Sequence, residues 1–365
     1  MGANQELLER EVKLIAWLQK KLPNVTELNI ANIDRPQGSG YSNDTMLVDI
    51  SYRQASELRE ERIVLRVSPT GFPVFPFYDI PQQFDVMQAL AANTNIPVPD
   101  CLWKEYDKSI LGESFYVMRH LDGQVPSDNP PFHRGGFVMD ASPKQRGDMW
   151  CNGIRQMAEL HKLSPTEAGF DFLRWPDSKQ SDIAQHLHYY EEYLKWAARG
   201  RAQPVADYAL QWLKDNMPSD EPQGIVWGDA RFGNMMYSGT EVCAVLDWEM
   251  VALGNPEADL AWWLFVDECL ARGNGNPEFV GSRPDGIPGN DETIALYEQC
   301  MGRPVEHLKY YQVFAGFRFA CVMIRIMQQQ AAAGTIPVEF TDVLEVDNTV
   351  TQITAEILGI SKDGL

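Results

Sequence analysis

Trp227-Gly228-Asp229-Ala230-Arg231-Phe232-Gly233-Asn234, followed thirteen residues on by Asp247-Trp248-Glu249, is the stretch on which the reading of this chain turns. An Asp, an Asn five positions later and a second Asp beyond a short apolar run form the pattern of a phosphoryl-transfer centre. In that pattern the first Asp accepts a hydroxyl proton. The Asn and the second Asp supply oxygen ligands for Mg²⁺, a hard cation that prefers carboxylate and amide oxygen. Gly224-Ile225-Val226-Trp227 and Met235-Met236-Tyr237 read as short buried strands on either side of a loop. Val242-Cys243-Ala244-Val245-Leu246 reads as a third, ending at Asp247. Folded back as a hairpin, these strands would bring Asp229, Asn234 and Asp247 to one point.

Asp-x₄-Asn alone arises by chance, because Asp and Asn are ordinary loop residues. The combination is what counts: apolar strands on both flanks, Leu246-Asp247-Trp248-Glu249, then Gly254-Asn255-Pro256-Glu257-Ala258-Asp259-Leu260. A motif is supported by its matched structural context.

The block from Ile225 to Leu260 resembles the signature of the aminoglycoside phosphotransferase family, within the protein-kinase-like fold. The family's His-Gly-Asp-x₄-Asn stands here as Trp-Gly-Asp-x₄-Asn, and its Gly-Asp-Pro-x-x-Asp-Leu stands as Gly254 to Leu260 with Asn255 in second place. The wording of Asp229-Ala230-Arg231 and Leu246-Asp247-Trp248-Glu249 is closest to the branch of kinase domains fused to some acyl-CoA dehydrogenases. The resemblance runs from a glycine turn near position 38 to the helices after 305, specific in the catalytic block and weak in the last sixty residues. It implies an α+β, protein-kinase-like bilobal fold: a small antiparallel-sheet N-terminal lobe over residues 1–118, a hinge over 119–123, and a larger, mainly helical C-terminal lobe over 124–365.

The N-terminal third fits that expectation. Residues 5–21 are charged and amphipathic, with Leu7, Leu8, Val12, Ile15 and Leu18 on one face of a surface helix. Val25–Asp34 reads as a strand, Pro36–Ser42 as a tight glycine turn, and Thr45–Tyr52 and Arg62–Val67 as two more strands joined by the charged turn Glu57–Glu61. Gly38 and Gly40 would let backbone amides approach phosphate without Cβ obstruction. Most Gly-Ser-Gly turns are only hairpin connections. By resemblance, Ser42 contacts a phosphate.

Arg66 alternates with Leu65 and Val67, with Val64 as its nearest same-face neighbour. The resemblance puts it where the family has a Lys on the α- and β-phosphates, and Arg binds phosphate bidentately. The competing reading is a strand arginine whose head reaches solvent. A helix over about 80–92 carries Gln83 where the family often has a Glu paired to that Lys; Asp79 and Asp85 are alternative partners. Phe115 to Gly123 resembles the hinge. Met118 then lines the adenine pocket, and the Arg119 carbonyl and Leu121 amide bond the adenine edge.

Farther on, residues 124–147 read as a Pro- and Gly-rich loop, and 148–163 as a helix in which His161 is structural. Helices are expected at about 180–198 and 204–216, and an apolar one near 257–271 whose Trp262, Trp263 and Phe265 read as core. Residues 272–291, with five Gly, three Pro and three Asn, read as a second irregular segment. Two or three helices close the chain over about 291–330 and 339–358.

At 365 residues the chain is long enough for two cores. With 44% apolar and 22% charged residues it reads as a soluble globular protein. A net charge of −20 argues against a nucleic-acid partner, which needs clustered Lys and Arg. It favours a cationic substrate weakly, and an ordinary acidic surface explains it as well. Six scattered cysteines without a Cys-x-x-Cys pair point to a reducing compartment, hence the cytoplasm. No signal peptide is visible, and Arg318 and Arg325 interrupt the apolar stretch 310–327, so no membrane association is expected. No obligate protein partner is evident.

The expected reaction is transfer of the ATP γ-phosphoryl group to a small-molecule hydroxyl, with Mg²⁺. Asp229 deprotonates the acceptor, Arg231 neutralises charge on the transferring group, and Asn234 and Asp247 hold the metal. Trp227, in place of the family's His, donates a hydrogen bond but cannot accept one, so altered support of the loop is expected. The substrate readings are an aminoglycoside or related polyol and, on the dehydrogenase-fused resemblance, a hydroxyacyl-CoA. A catalytically silent nucleotide-binding module is the rival from a different class.

Overall fold

The computed structural model describes residues 2–35, 44–69, 71–174, 181–219, 223–273 and 283–361, with the side chains of 2–9 left aside. The chain divides into two compact units: one of Met1–Pro73, Phe77–Gln88 and Pro99–Asp122, the other of Val74–Pro76, Ala89–Val98 and Gly123–Leu365.

The first unit holds α1 (Gly2–Lys21), β1 (Val25–Asp34), β2 (Asp44–Gln54), β3 (Glu57–Val67), most of α2 (Ile80–Asn93), β4 (Cys101–Glu105), α3 (Lys108–Leu111) and β5 (Phe115–Arg119). The strands form one antiparallel sheet in the order β1-β2-β3-β5-β4. Alternation along β2 and β3 turns Met46, Val48, Ile50, Ile63, Leu65 and Val67 inward. Leu14, Trp17 and Leu18 of α1 close that core, with the Trp17 ring edge-on to Phe115 at 5.0 Å.

Two expectations need correction here. The charged run Glu57–Glu61 is not a turn but the first half of β3, in register from Gln54↔Glu57 onward. Partners across the ribbon keep it extended: Tyr52 donates to Glu61 at 2.7 Å and Arg62 to Asp49 at 2.6 Å. The turn shrinks to Ala55–Ser56, both at positive φ (50° and 69°), the geometry that suits the twist of a two-residue hairpin. Among the described side chains of α1, Leu14, Trp17 and Leu18 are buried, whereas Val12 is 64% exposed.

The second unit is mainly helical: α4 (Phe137–Asp140), α5 (Pro143–His161), α6 (Asp182–Ala198), α7 (Pro204–Asp215), then β6 (Gly224–Val226), β7 (Met235–Ser238), β8 (Glu241–Val245) and β9 (Ala252–Gly254), then α8 (Glu257–Arg272), α9 (Asn290–Met301), α10 (Leu308–Ala332), α11 (Val338–Val346) and α12 (Thr349–Leu358). Helix α5 starts five residues before the expected 148. Ser142 and Gln145 form a reciprocal capping box, and Pro143 takes the first turn, where its missing N–H costs nothing. The closing segments hold four helices, because Gly302 (φ 70°) ends α9 and the Asn348 cap restarts the chain as α12. Helices α8 and α10 form the centre, with Leu260, Ala261, Phe314, Phe317 and Ile324 buried. Helices α10 and α12 meet closely at Gly316, where a Cβ would lie 2.2 Å from Thr354 Oγ1. None of the six cysteines, all among the described residues, forms a disulfide. Among the described residues no helix is long and apolar enough to cross a membrane.

Candidate active site

The expected three-strand arrangement is half right. β7 and β8 do form an antiparallel hairpin, Met235 opposite Val245. β6 does not join it: it pairs with β9, Ile225 opposite Leu253. Two small ribbons therefore hold the loop between β6 and β7 from both ends. The loop leaves β6 through Gly228, at φ 94°, where a Cβ would sit 2.0 Å from the Met250 carbonyl oxygen. Only glycine fits that turn.

The loop brings predicted residues together. Asn234 donates through Nδ2 to the Asp229 carbonyl at 3.0 Å and to Asp229 Oδ2 at 2.6 Å. Arg231 Nε donates to the same Oδ2 at 3.0 Å. The Leu246 amide, one residue before Asp247, donates to the Asn234 carbonyl at 2.9 Å. Trp227 Nε1 donates to the Leu246 carbonyl at 2.9 Å, so the indole ties the loop between β6 and β7 to the residue that precedes Asp247. Asp247 itself is a non-glycine residue at φ 60°, a conformation that costs energy and persists where surrounding structure dictates it.

A further set of residues, Asp259, His161, Trp262 and Arg318, holds this loop, a role the sequence does not by itself reveal. Asp259, fully buried, accepts the amides of Trp227 (2.6 Å) and Gly228 (2.9 Å) and meets His161 Nε2 at 3.0 Å. His161 Nδ1 meets the Tyr297 hydroxyl at 2.7 Å, which makes it the structural histidine it was read to be. Trp262, one helical turn beyond Asp259, donates from Nε1 to Asp229 Oδ1 at 2.7 Å. Arg318 donates to the Gly228 carbonyl at 2.8 Å, with its guanidinium 4.7 Å from the Trp262 ring. The usable sequence signal was the spacing Asp259-x-x-Trp262, which sets both side chains on one helix face.

Arg231 also pairs with Asp128, from the segment read as irregular loop. Burial opposes the guanidinium charge, but the carboxylates of Asp229, Asp128 and Asp247 outweigh it and raise its proton affinity. The arginine is a fixed positive charge beside the Asp229 carboxylate.

The predicted nucleotide residues lie in the first unit. Arg66 Nη1 donates to Thr45 Oγ1 at 3.0 Å, and Leu65 and Val67 on its flanks are buried, as alternation requires. Met118 and Arg119 end β5; the Arg119 guanidinium meets Glu61 at 3.2 Å. Leu121 lies two residues past the end of β5, outside any helix or strand. Gln83 is buried and accepts from the Tyr116 hydroxyl at 3.5 Å, Asp85 pairs with Lys104 at 2.6 Å, and Asp79 accepts from the Gln82 amide at 3.0 Å. Gly38, Gly40 and Ser42 fall outside the described residues.

The donor set suits a hard divalent cation. Asn234 commits its N–H₂ to Asp229, which leaves its side-chain oxygen as the free lone-pair donor, and Asp247 supplies a carboxylate. A carboxylate offers about four acceptor positions, and three donors fill those of Asp229. Among the described residues one position, on Oδ1, has no donor.

Residues 35–278 match the family model described as APH, phosphotransferase enzyme family. The chain belongs to that family. That family is one of phosphotransferase enzymes. Among curated proteins it is similar to acyl-CoA dehydrogenase family member 10 of Mus musculus, 29% identical over 78% of this chain and 25% of the relative. The first curated relatives are longer proteins, of which the match covers 25% to 35%. Among solved structures it is similar to a Ralstonia eutropha protein assigned to the aminoglycoside phosphotransferases (TM-score 0.66, 23% identical, 94% of this chain and 98% of that one). It is also similar to choline kinase from Cryptosporidium parvum (TM-score 0.55, 14% identical, 95% of this chain and 94% of that one). Those likenesses identify the fold as protein-kinase-like.

Proposed function

We propose that this protein moves the γ-phosphoryl group of ATP to a hydroxyl of a small molecule in a Mg²⁺-dependent reaction. The observation that carries the reading is the Asp229 carboxylate, fixed by Trp262, Arg231 and Asn234 with one acceptor position open. Phosphoryl transfer has a loose transition state, so positioning and charge neutralisation dominate. Asp229 orients the acceptor hydroxyl and takes its proton. Arg231 stands beside that oxygen as the cation for the transferring group. Asn234 and Asp247 would hold Mg²⁺, which, when bound, screens the charge of the phosphate oxygens. Arg66, Gly38, Gly40 and Ser42 are assigned to the phosphate tail, and Met118, Arg119 and Leu121 to the adenine.

Two acceptor classes compete. The fold shared with aminoglycoside phosphotransferases supports an amino sugar or polyol. The relatives carrying the acyl-CoA dehydrogenase name favour a hydroxyacyl-CoA. A silent nucleotide-binding module would have no use for a base held by three donors. The scattered cysteines fit a reducing compartment, and we assign the enzyme to the cytoplasm. Thermal unfolding with ATP, with and without Mg²⁺, tests the nucleotide and metal assignments. ATP should raise the midpoint, and more so with Mg²⁺, by mass action on the folded state. No shift at millimolar MgATP would overturn them.

A further inference from the structure

We infer that Trp262 is a positioning residue that sets the direction from which Asp229 meets its acceptor, with Arg318 holding Trp262 in place. The inference rests on the reading of Asp229 as the base. Oδ2 of Asp229 is occupied by two donors, Arg231 Nε and Asn234 Nδ2. Those bonds alone leave the acceptor's position on Oδ1 undecided. The Trp262 indole N–H, 2.7 Å from Oδ1, takes one of the two positions there and leaves the other. It does so with a neutral donor on a rigid ring, so no charge is added opposite the incoming hydroxyl.

The ring is itself held. Trp262 is 2% exposed on the α8 face that also carries Asp259. Arg318, equally buried, lies over its face at 4.7 Å and over Tyr190 at 5.1 Å and Phe314 at 5.5 Å. Among the described residues Arg318 has no carboxylate within ion-pair distance; its Nη2 donates to the Gly228 carbonyl, and its Nε is buried without an acceptor. A guanidinium buried on three aromatic faces is costly to place. Here one arginine fixes the base twice, through the backbone carbonyl before it and through the ring that holds its side chain.

The test uses Trp262→Phe, which removes the donor and keeps a ring, and Trp262→His, whose Nε2 stands as many bonds from Cβ as the indole nitrogen. MgATP hydrolysis, with water as acceptor, is read beside the indole N–H resonances of ¹⁵N-tryptophan-labelled protein. The Trp262 signal, identified by its loss in Trp262→His, should lie downfield and move upfield in Asp229→Ala. Trp262→Phe should lower kcat by about 10- to 100-fold with KM for MgATP unchanged, and Trp262→His should recover most of it. An indole signal indifferent to Asp229→Ala overturns the inference, even where Trp262→Phe does not fold. So does wild-type kcat in Trp262→Phe with Asp229→Ala inactive. Undiminished hydrolysis in Asp229→Ala would instead remove the base assignment itself.

Discussion

Gly228 is where the site tolerates least. Its φ of 94° and a Cβ position 2.0 Å from a backbone oxygen leave no room for a side chain. Gly228→Ala should cost about 3 kcal/mol or more, from the left-handed backbone and the clash together, and should disturb Asp229 next to it. Urea unfolding and turnover would both show the loss; a variant of wild-type stability would contradict this geometry. Asp229, Asn234 and Asp247 were legible because oxygen-bearing side chains at that spacing, between apolar runs, have few other uses. Trp262 was not. A tryptophan in an apolar helix reads as packing, and what decides otherwise is the direction of one N–H, which only the tertiary structure sets. Arg318 was visible only as an interruption of an apolar stretch, a signal about membranes and not about the loop it supports.

At the scale of elements, α8 links core to chemistry. Its Asp259 satisfies two loop amides that would otherwise be buried without acceptors. Asp259→Ala should therefore destabilise by about 3 kcal/mol, at roughly 1–3 kcal/mol for each orphaned group, and abolish turnover. A small change in the urea midpoint would show that the loop stands without α8. Helix α6 carries a second consequence. Burial, with the Arg318 charge adding to it, pushes the His186 imidazole down to about 3. Unfolded, the ring takes its proton near pH 6.5. The unfolded state thus binds more protons between those values, and the stability present above about pH 6.5 is lost as the pH falls towards 3. His186→Gln should flatten this slope in chemical unfolding; an unchanged slope would assign it to other groups. Element existence was largely readable from periodicity. The misses came from partners: β6 pairs with β9 because Gly254 and Gly224 let those backbones lie together, and the charged half of β3 stays extended through its cross-strand bonds. Neither is a local property of sequence.

At the scale of the molecule, the α+β division was legible in the change from strand alternation before residue 70 to helical spacing after 143. The turn at Ala55–Ser56 and the start of α5 at Pro143 moved by a few residues because caps and turn dihedrals, not hydrophobic period, set ends. Acceptor identity is another matter, since a net charge of −20 does not locate an acidic subsite. The proposed chemistry requires Asp229 to serve an alcohol acceptor. The most direct measurement is acceptor-dependent ADP formation from ATP across aminoglycosides, hydroxyacyl-CoAs and amino alcohols, with and without Mg²⁺, for the wild type and Asp229→Asn. The account predicts at least one acceptor that accelerates Mg²⁺-dependent turnover in the wild type, and its loss in Asp229→Asn while ATP affinity stays nearly intact. Equal acceptor-dependent turnover in Asp229→Asn would contradict it.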